Sequence, residues 1–146
     1  MSEKFRFQSD REGPNLNGRI YTQQAVKDAV SKYRDRVDDG QALCTIDCPD
    51  GVLTDLEKVS HMVTDIEVDD RGIVEVEVKI LNTPEGIRLE HLIKENLVDV
   101  VTSAIGRVEA EQDPWGTTLH RVKECSLLGI NFVPKGNGSQ YWKQLT

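Results

Sequence analysis

Between Ile73 and Leu81 the chain alternates without a break: Val74, Val76, Val78 and Ile80 are aliphatic, and Glu75, Glu77 and Lys79 between them are charged. A period of two sends the first set to one face of a strand and the second to the other, which predicts a sheet with one dry and one wet face. Val59 to Val68 reads as its hairpin partner, because Asp69-Asp70-Arg71-Gly72 between them is turn chemistry. Phe5-Arg6-Phe7 and Gln41 to Ile46 give two shorter strands. Two segments change period. After Thr22, a ready N-cap, Val26, Ala29, Val30, Tyr33 and Val37 recur at spacings of three and four, predicting a helix that ends near Asp38-Asp39-Gly40. Thr83 as cap, Pro84 at the first helical position and Glu85 at the positive end of the dipole open a second helix, with Leu89, Leu92 and Ile93 as its buried side.

The second half is more apolar. Leu97 to Ile105 is almost continuously so, Val108 to Glu111 carries on past a kink at Gly106, and Asp113-Pro114-Trp115-Gly116 turns the chain into Thr117 to Val122. Cys125 to Val133 reads as a last buried strand. Asp10 to Gly18 and Cys48-Pro49-Asp50-Gly51 are loop and turn. Many strands and two helices predict an α+β architecture: a small curved or barrel-like, mainly antiparallel sheet with about two helices on its outside. Residues 1–134 form one domain on this reading, and residues 135–146 a Gly-rich, aromatic tail that begins flexible and reaches Tyr141 and Trp142.

Composition narrows the function classes. At 146 residues and 38% hydrophobic the chain can bury a core. Its 18 basic and 25 acidic side chains leave a net charge of −7, which repels a phosphate backbone, so no nucleic-acid partner is expected. No run approaches the roughly 20 apolar residues of a membrane helix, and Met1-Ser2-Glu3-Lys4-Phe5-Arg6 lacks a signal peptide's apolar stretch. The expected location is therefore the cytoplasm, with no membrane partner. Cys44, Cys48 and Cys125 read as free thiols. With His61, His91 and His120 scattered there is no second ligand pair at zinc spacing, so neither metal nor cofactor is expected. Asn137-Gly138-Ser139 is formally a glycosylation sequon and reads as a turn.

Several ordered blocks carry a resemblance. Asn15-Leu16-Asn17-Gly18-Arg19-Ile20-Tyr21 resembles the Asn-x-Asn-Gly-Arg-x-Tyr opening of the prohead core proteases of T-even-like phages, with Thr22 in place of the usual proline. Val59-Ser60-His61-Met62-Val63 is similar to that family's Ile-Ser-His strand. Lys79-Ile80-Leu81-Asn82-Thr83-Pro84-Glu85-Gly86 and Leu128-Gly129-Ile130-Asn131-Phe132-Val133 extend the match to about residues 15–134. The family, like the related herpesvirus assemblins, consists of serine proteases that mature capsid shells. The resemblance thus implies a viral capsid-assembly fold.

It also implies a damaged active site. The family's catalytic histidine lies in a Gly-x-Leu-x-His-Pro block, and the best register sets Asp47-Cys48-Pro49 on it, which puts Cys48 at the histidine. The nucleophile block, Gly-Val-Ser-Ser-Arg-Gly-x-Gly, falls on Asp99 to Gly106 and places Val101 at the first serine and Thr102 at the second. Ser103 stands for the arginine and Ala104 for the next glycine. A serine needs a base in hydrogen-bond reach to attack at neutral pH, and valine has no lone pair to offer. Loss of either partner costs several orders of magnitude in rate, so the expectation is a pseudoprotease.

The alternative is an active capsid-maturation protease with a displaced nucleophile. Ser103 shares a strand face with Val101 and could use His61 or His120 as base, or the Cys48 thiol could act as the nucleophile. The plainer readings are a small polar residue for Ser103 and a hydrogen-bonded structural imidazole for His61. Trp115, Tyr141 and Trp142 are the candidate binding residues, either docking on a partner or packing on their own domain. The expected protein is a phage virion structural component, binding the major capsid protein or other virion proteins as a decoration or stabilising subunit or as an assembly factor. It would reside in the virion, and in host cytoplasm during assembly, with a homo-oligomer as a further option.

Overall fold

A computed structural model describes residues 3–9, 19–46, 55–112, 114–116, 118–136 and 142–145. Five strands make one sheet, in the order β3 (Leu43–Thr45), β4 (Val59–Val68), β5 (Val74–Ile80), β1 (Lys4–Ser9) and β8 (Trp142–Gln144). Three make a second, in the order β2 (Arg19–Tyr21), β7 (Thr118–Pro134) and β6 (Val98–Gln112). Helix α1 (Gln23–Asp38) packs on β4 and β7, and α2 (Pro84–Lys94) on β4 and β5. The molecule is α+β and mainly antiparallel, with two sheets rather than a closed barrel.

The β4–β5 hairpin follows from its side-chain alternation. Val74, Val76, Val78 and Ile80 are buried while Glu75, Glu77 and Lys79 stay half-exposed. Asp69 builds the turn, its Oδ1 accepting from the amides of Arg71 and Ile73 at 2.9 Å, and Gly72 takes φ +84°. On the wet face Arg6 donates to Glu75 and Glu77, and Thr64 donates to Glu77 at 2.9 Å. The register shifts between Val63 and Asp65, so the buried positions of β4 step from Val63 to Ile66 across this bulge. Arg34 of α1 reads the bulge, donating to the Ile66 carbonyl and pairing with Asp65 at 3.2 Å.

Both helices begin where their caps predict. Thr22 Oγ1 accepts from Ala25 N at 3.1 Å, and Thr83 Oγ1 accepts from Gly86 N at 2.9 Å. The Thr83 hydroxyl also donates to the Val59 carbonyl at 2.8 Å, which ties α2 to β4. Gly86 sits so close to this joint that a Cβ there would lie 2.0 Å from the Leu81 carbonyl oxygen and 2.8 Å from that of Ser60.

Three features depart from the sequence reading. Thr117 to Val122 and Cys125 to Val133 were expected as separate strands, but one strand, β7, spans both. Its ladder with β6 absorbs the mismatch at two irregularities, Ser103/Ala104 and Arg107/Val108. β2 pairs parallel to β7, Arg19 opposite His120, a long-range contact without a periodic trace. Trp142–Gln144, read as part of a tail beyond residue 134, lie at the edge of the larger sheet and pair antiparallel with Phe7–Ser9. Among the described residues, no helix is long and apolar enough to cross a membrane.

Candidate functional site

The core meets the seam between the two sheets at three consecutive residues of β7. Ile130 and Phe132 are fully buried, with Asn131 almost so. The Phe132 amide donates to the Ile46 carbonyl at 2.7 Å, joining β7 to the end of β3. Asn131 Nδ2 reinforces the joint, donating to the Thr45 carbonyl at 3.0 Å and to Thr45 Oγ1 at 3.3 Å. Such a buried amide is tolerable because its polar atoms find partners.

The positions matched to the protease nucleophile lie directly across β6 from this seam. Val101 pairs with Asn131 and Thr102 with Ile130, and both side chains are half-buried. Ser103 pairs through its backbone with Gly129. Gly129 is buried beside Cys44, whose Sγ a Cβ there would meet at 3.4 Å, an ordinary van der Waals contact. Cys48 follows Thr45 by three residues and lies outside the described residues, as does Tyr141.

The imidazole nearest this region is that of His61, which has no exposure. Its Nε2 stands 2.6 Å from the Ile130 carbonyl and its Nδ1 2.7 Å from Ser60 Oγ. A carbonyl only accepts, so Nε2 carries the proton and Nδ1 accepts from the Ser60 hydroxyl. The ring edge meets Phe132, with centroids 5.0 Å apart. Burial drives the His61 pKa down to about 4, only partly opposed by the hydrogen bond to Ile130, which keeps the ring neutral near pH 7. A hydroxyl donating to an imidazole is the contact that activates a nucleophile. Here both groups are sealed at 0% exposure, leaving a substrate carbonyl no place beside them. The Ser60–His61–Ile130 chain is a clasp between β4 and β7.

Other candidate pairings are separated. His120 lies opposite Ala110, seven residues along β6 from Ser103, or about 23 Å of extended strand. That span exceeds hydrogen-bond reach for any side chain. The Cys44 thiol is buried 3.7 Å from the Tyr33 hydroxyl, and burial pushes its pKa up, so it stays a protonated, unreactive thiol. Among the described residues no group of three His, Cys, Asp or Glu side chains is placed to hold a metal ion.

The candidate binding aromatics diverge. Trp142 is half-buried in β8 and packs against the core, the intramolecular option of the two weighed above. Trp115 occupies the turn between β6 and β7 and is exposed. Sequence reasoning did not single out Ser60, Thr45 or Asn131. The available signal was a Ser-His pair between Val59 and Met62-Val63 at the start of β4, where unpartnered polar groups would be costly.

No family model matches this chain, and no curated protein matches it. Among solved structures, the bacteriophage T4 capsid assembly protease, gp21, is 21% identical over 85% of this chain and 76% of its own. With a TM-score of 0.71 between them, this chain has the fold of a phage capsid assembly protease.

Proposed function

We propose that this chain is a phage virion structural protein, a pseudoprotease that binds the capsid lattice as a decoration or stabilising subunit or as an assembly factor. The carrying observation is the pairing of Val101 with Asn131. The position that the sequence resemblance matches to the nucleophilic serine holds a half-buried hydrocarbon, backed by an amide bonded to Thr45. His61 has both ring nitrogens engaged in the clasp and is the wrong imidazole to serve as base. Fold and chemistry are separable, and a shell-recognising fold keeps its surfaces after its nucleophile is gone.

Densitometry of purified virions against the major capsid protein tests this reading. Stoichiometric copies are expected, and complete absence from particles overturns it. Incubation with capsid and scaffold substrates tests the chemistry: the expected result is no cleavage and no labelling by serine- or cysteine-directed probes.

A further inference from the structure

Trp115 is 86% exposed, the most exposed of the large hydrophobic side chains among the described residues. It stands at the end of the longest ladder in the molecule, which runs from Val98↔Pro134 out to Gln112↔Thr118. A two-stranded ribbon alone is marginal in water, but β2 adds a third strand at His120–Val122 and braces this one near its tip. The turn is constrained as well. Pro114 fixes its own φ, and Gly116 takes φ +83°, a conformation that L side chains rarely adopt. The described residues around the tip, Ala110, Gln112, Pro114, Trp115, Gly116 and Thr118, are all exposed. A turn constrained at Pro114 and Gly116 that holds a large aromatic exposed lowers the entropy cost of seating it on another molecule.

Charge selects the kind of partner. Residues 109–121 contain Glu109, Glu111 and Asp113 against a single basic residue, Arg121, which the ladder sets opposite Glu109, a local charge of −2 on a chain of −7. A second copy would bring the same sign to the contact, and like charges brought together disfavour it. We infer that the β6–β7 tip is a docking knob that seats Trp115 in an apolar pocket rimmed by lysine or arginine on the capsid shell. This inference rests on the reading given under Proposed function and adds the surface by which the chain would hold the shell. Aromatic anchors ringed by polar contacts dominate interfaces of this kind.

The test is cosedimentation of the full chain with assembled shells that lack it, across a salt series. Wild-type protein should bind, more weakly as salt rises, and Trp115→Ala should weaken binding tenfold or more with unchanged circular dichroism. A Glu111→Lys variant, which leaves in place the tryptophan and Glu109 opposite Arg121, should weaken it severalfold and reduce the salt dependence. If wild-type protein binds and Trp115→Ala binds equally well, the docking knob is wrong while the structural-protein reading stands. If wild-type protein is absent from both shells and virions, that reading fails and the inference with it. Should Trp115→Ala instead dissociate an oligomer of the isolated protein, the knob's partner is a second copy and the assignment to the shell is overturned.

Discussion

Two hairpins use the same antiparallel pairing for different ends. In β4–β5 the alternate side chains are buried along nearly the whole length, from Val59 to Ile66 and from Val74 to Ile80. In β6–β7 the buried residues among those described are confined to the root, Val100 and Gly129 to Phe132, and the tip is exposed. Backbone hydrogen bonding is common to both, so it cannot be what separates scaffold from surface. The face beneath each strand decides: α1 and α2 cover β4–β5 and α1 also packs on β7, whereas the outer ladder of β6–β7 carries its described side chains into water.

The contrast breaks most visibly at the shared root. Phe132→Ala removes an aromatic that meets both Phe7 and His61 and should cost about 3–5 kcal/mol in denaturant unfolding. Gly86→Ala tests the joint of α2 with β4. Its new Cβ would press on two backbone carbonyls that cannot swing aside, so a loss of about 3 kcal/mol is expected by the same measurement.

Acid probes the clasp itself. The His61 pKa is depressed to about 4 in the fold against an ordinary 6.5, so above pH 6.5 the ring is neutral in both states and its contribution is complete. As pH falls below 6.5 the unfolded chain takes up a proton that the fold refuses, and stability drops until about pH 4, by on the order of 3 kcal/mol in all. Unfolding free energies at pH 7, 6 and 5 should show this slope in the wild type and a shallower one in His61→Gln. Equal slopes would remove His61 from the account.

The smallest effects belong to the tip. Gly116→Ala has open space for its methyl and pays only for the positive φ, about 1 kcal/mol. Trp115→Ala should change the unfolding free energy by less than ~0.5 kcal/mol, since exposed side chains rarely carry stability. A large loss from Trp115→Ala would make the tip part of the scaffold and erase the comparison.

What the sequence made legible was local. The period of β4 and β5, the caps at Thr22 and Thr83 and the turn at Asp69 each depend on residues within a few positions of one another, and these elements stand where they were read. The parallel pairing of β2, the continuity of β7 through two irregularities and the placing of β8 depend on contacts remote in sequence. No hydrophobic period records those. The site divides in the same way. Val101 and Thr102 could be singled out from short blocks, whereas the clasp needs the relative placement of β3, β4 and β7, which bring Cys44 opposite His61 and the Ile130 carbonyl onto its ring.

The β1–β8 pairing has a topological consequence. Phe7 lies opposite Gln144, and the Leu145 amide donates to the Arg6 carbonyl at 2.7 Å, so the first and last strands run side by side along one sheet edge. A short peptide joining residue 145 to residue 3 would close this span of the chain into a ring without moving any element. New ends could then be opened in the Trp115 turn, giving a circular permutant whose order of synthesis differs while its three-dimensional neighbours stay the same.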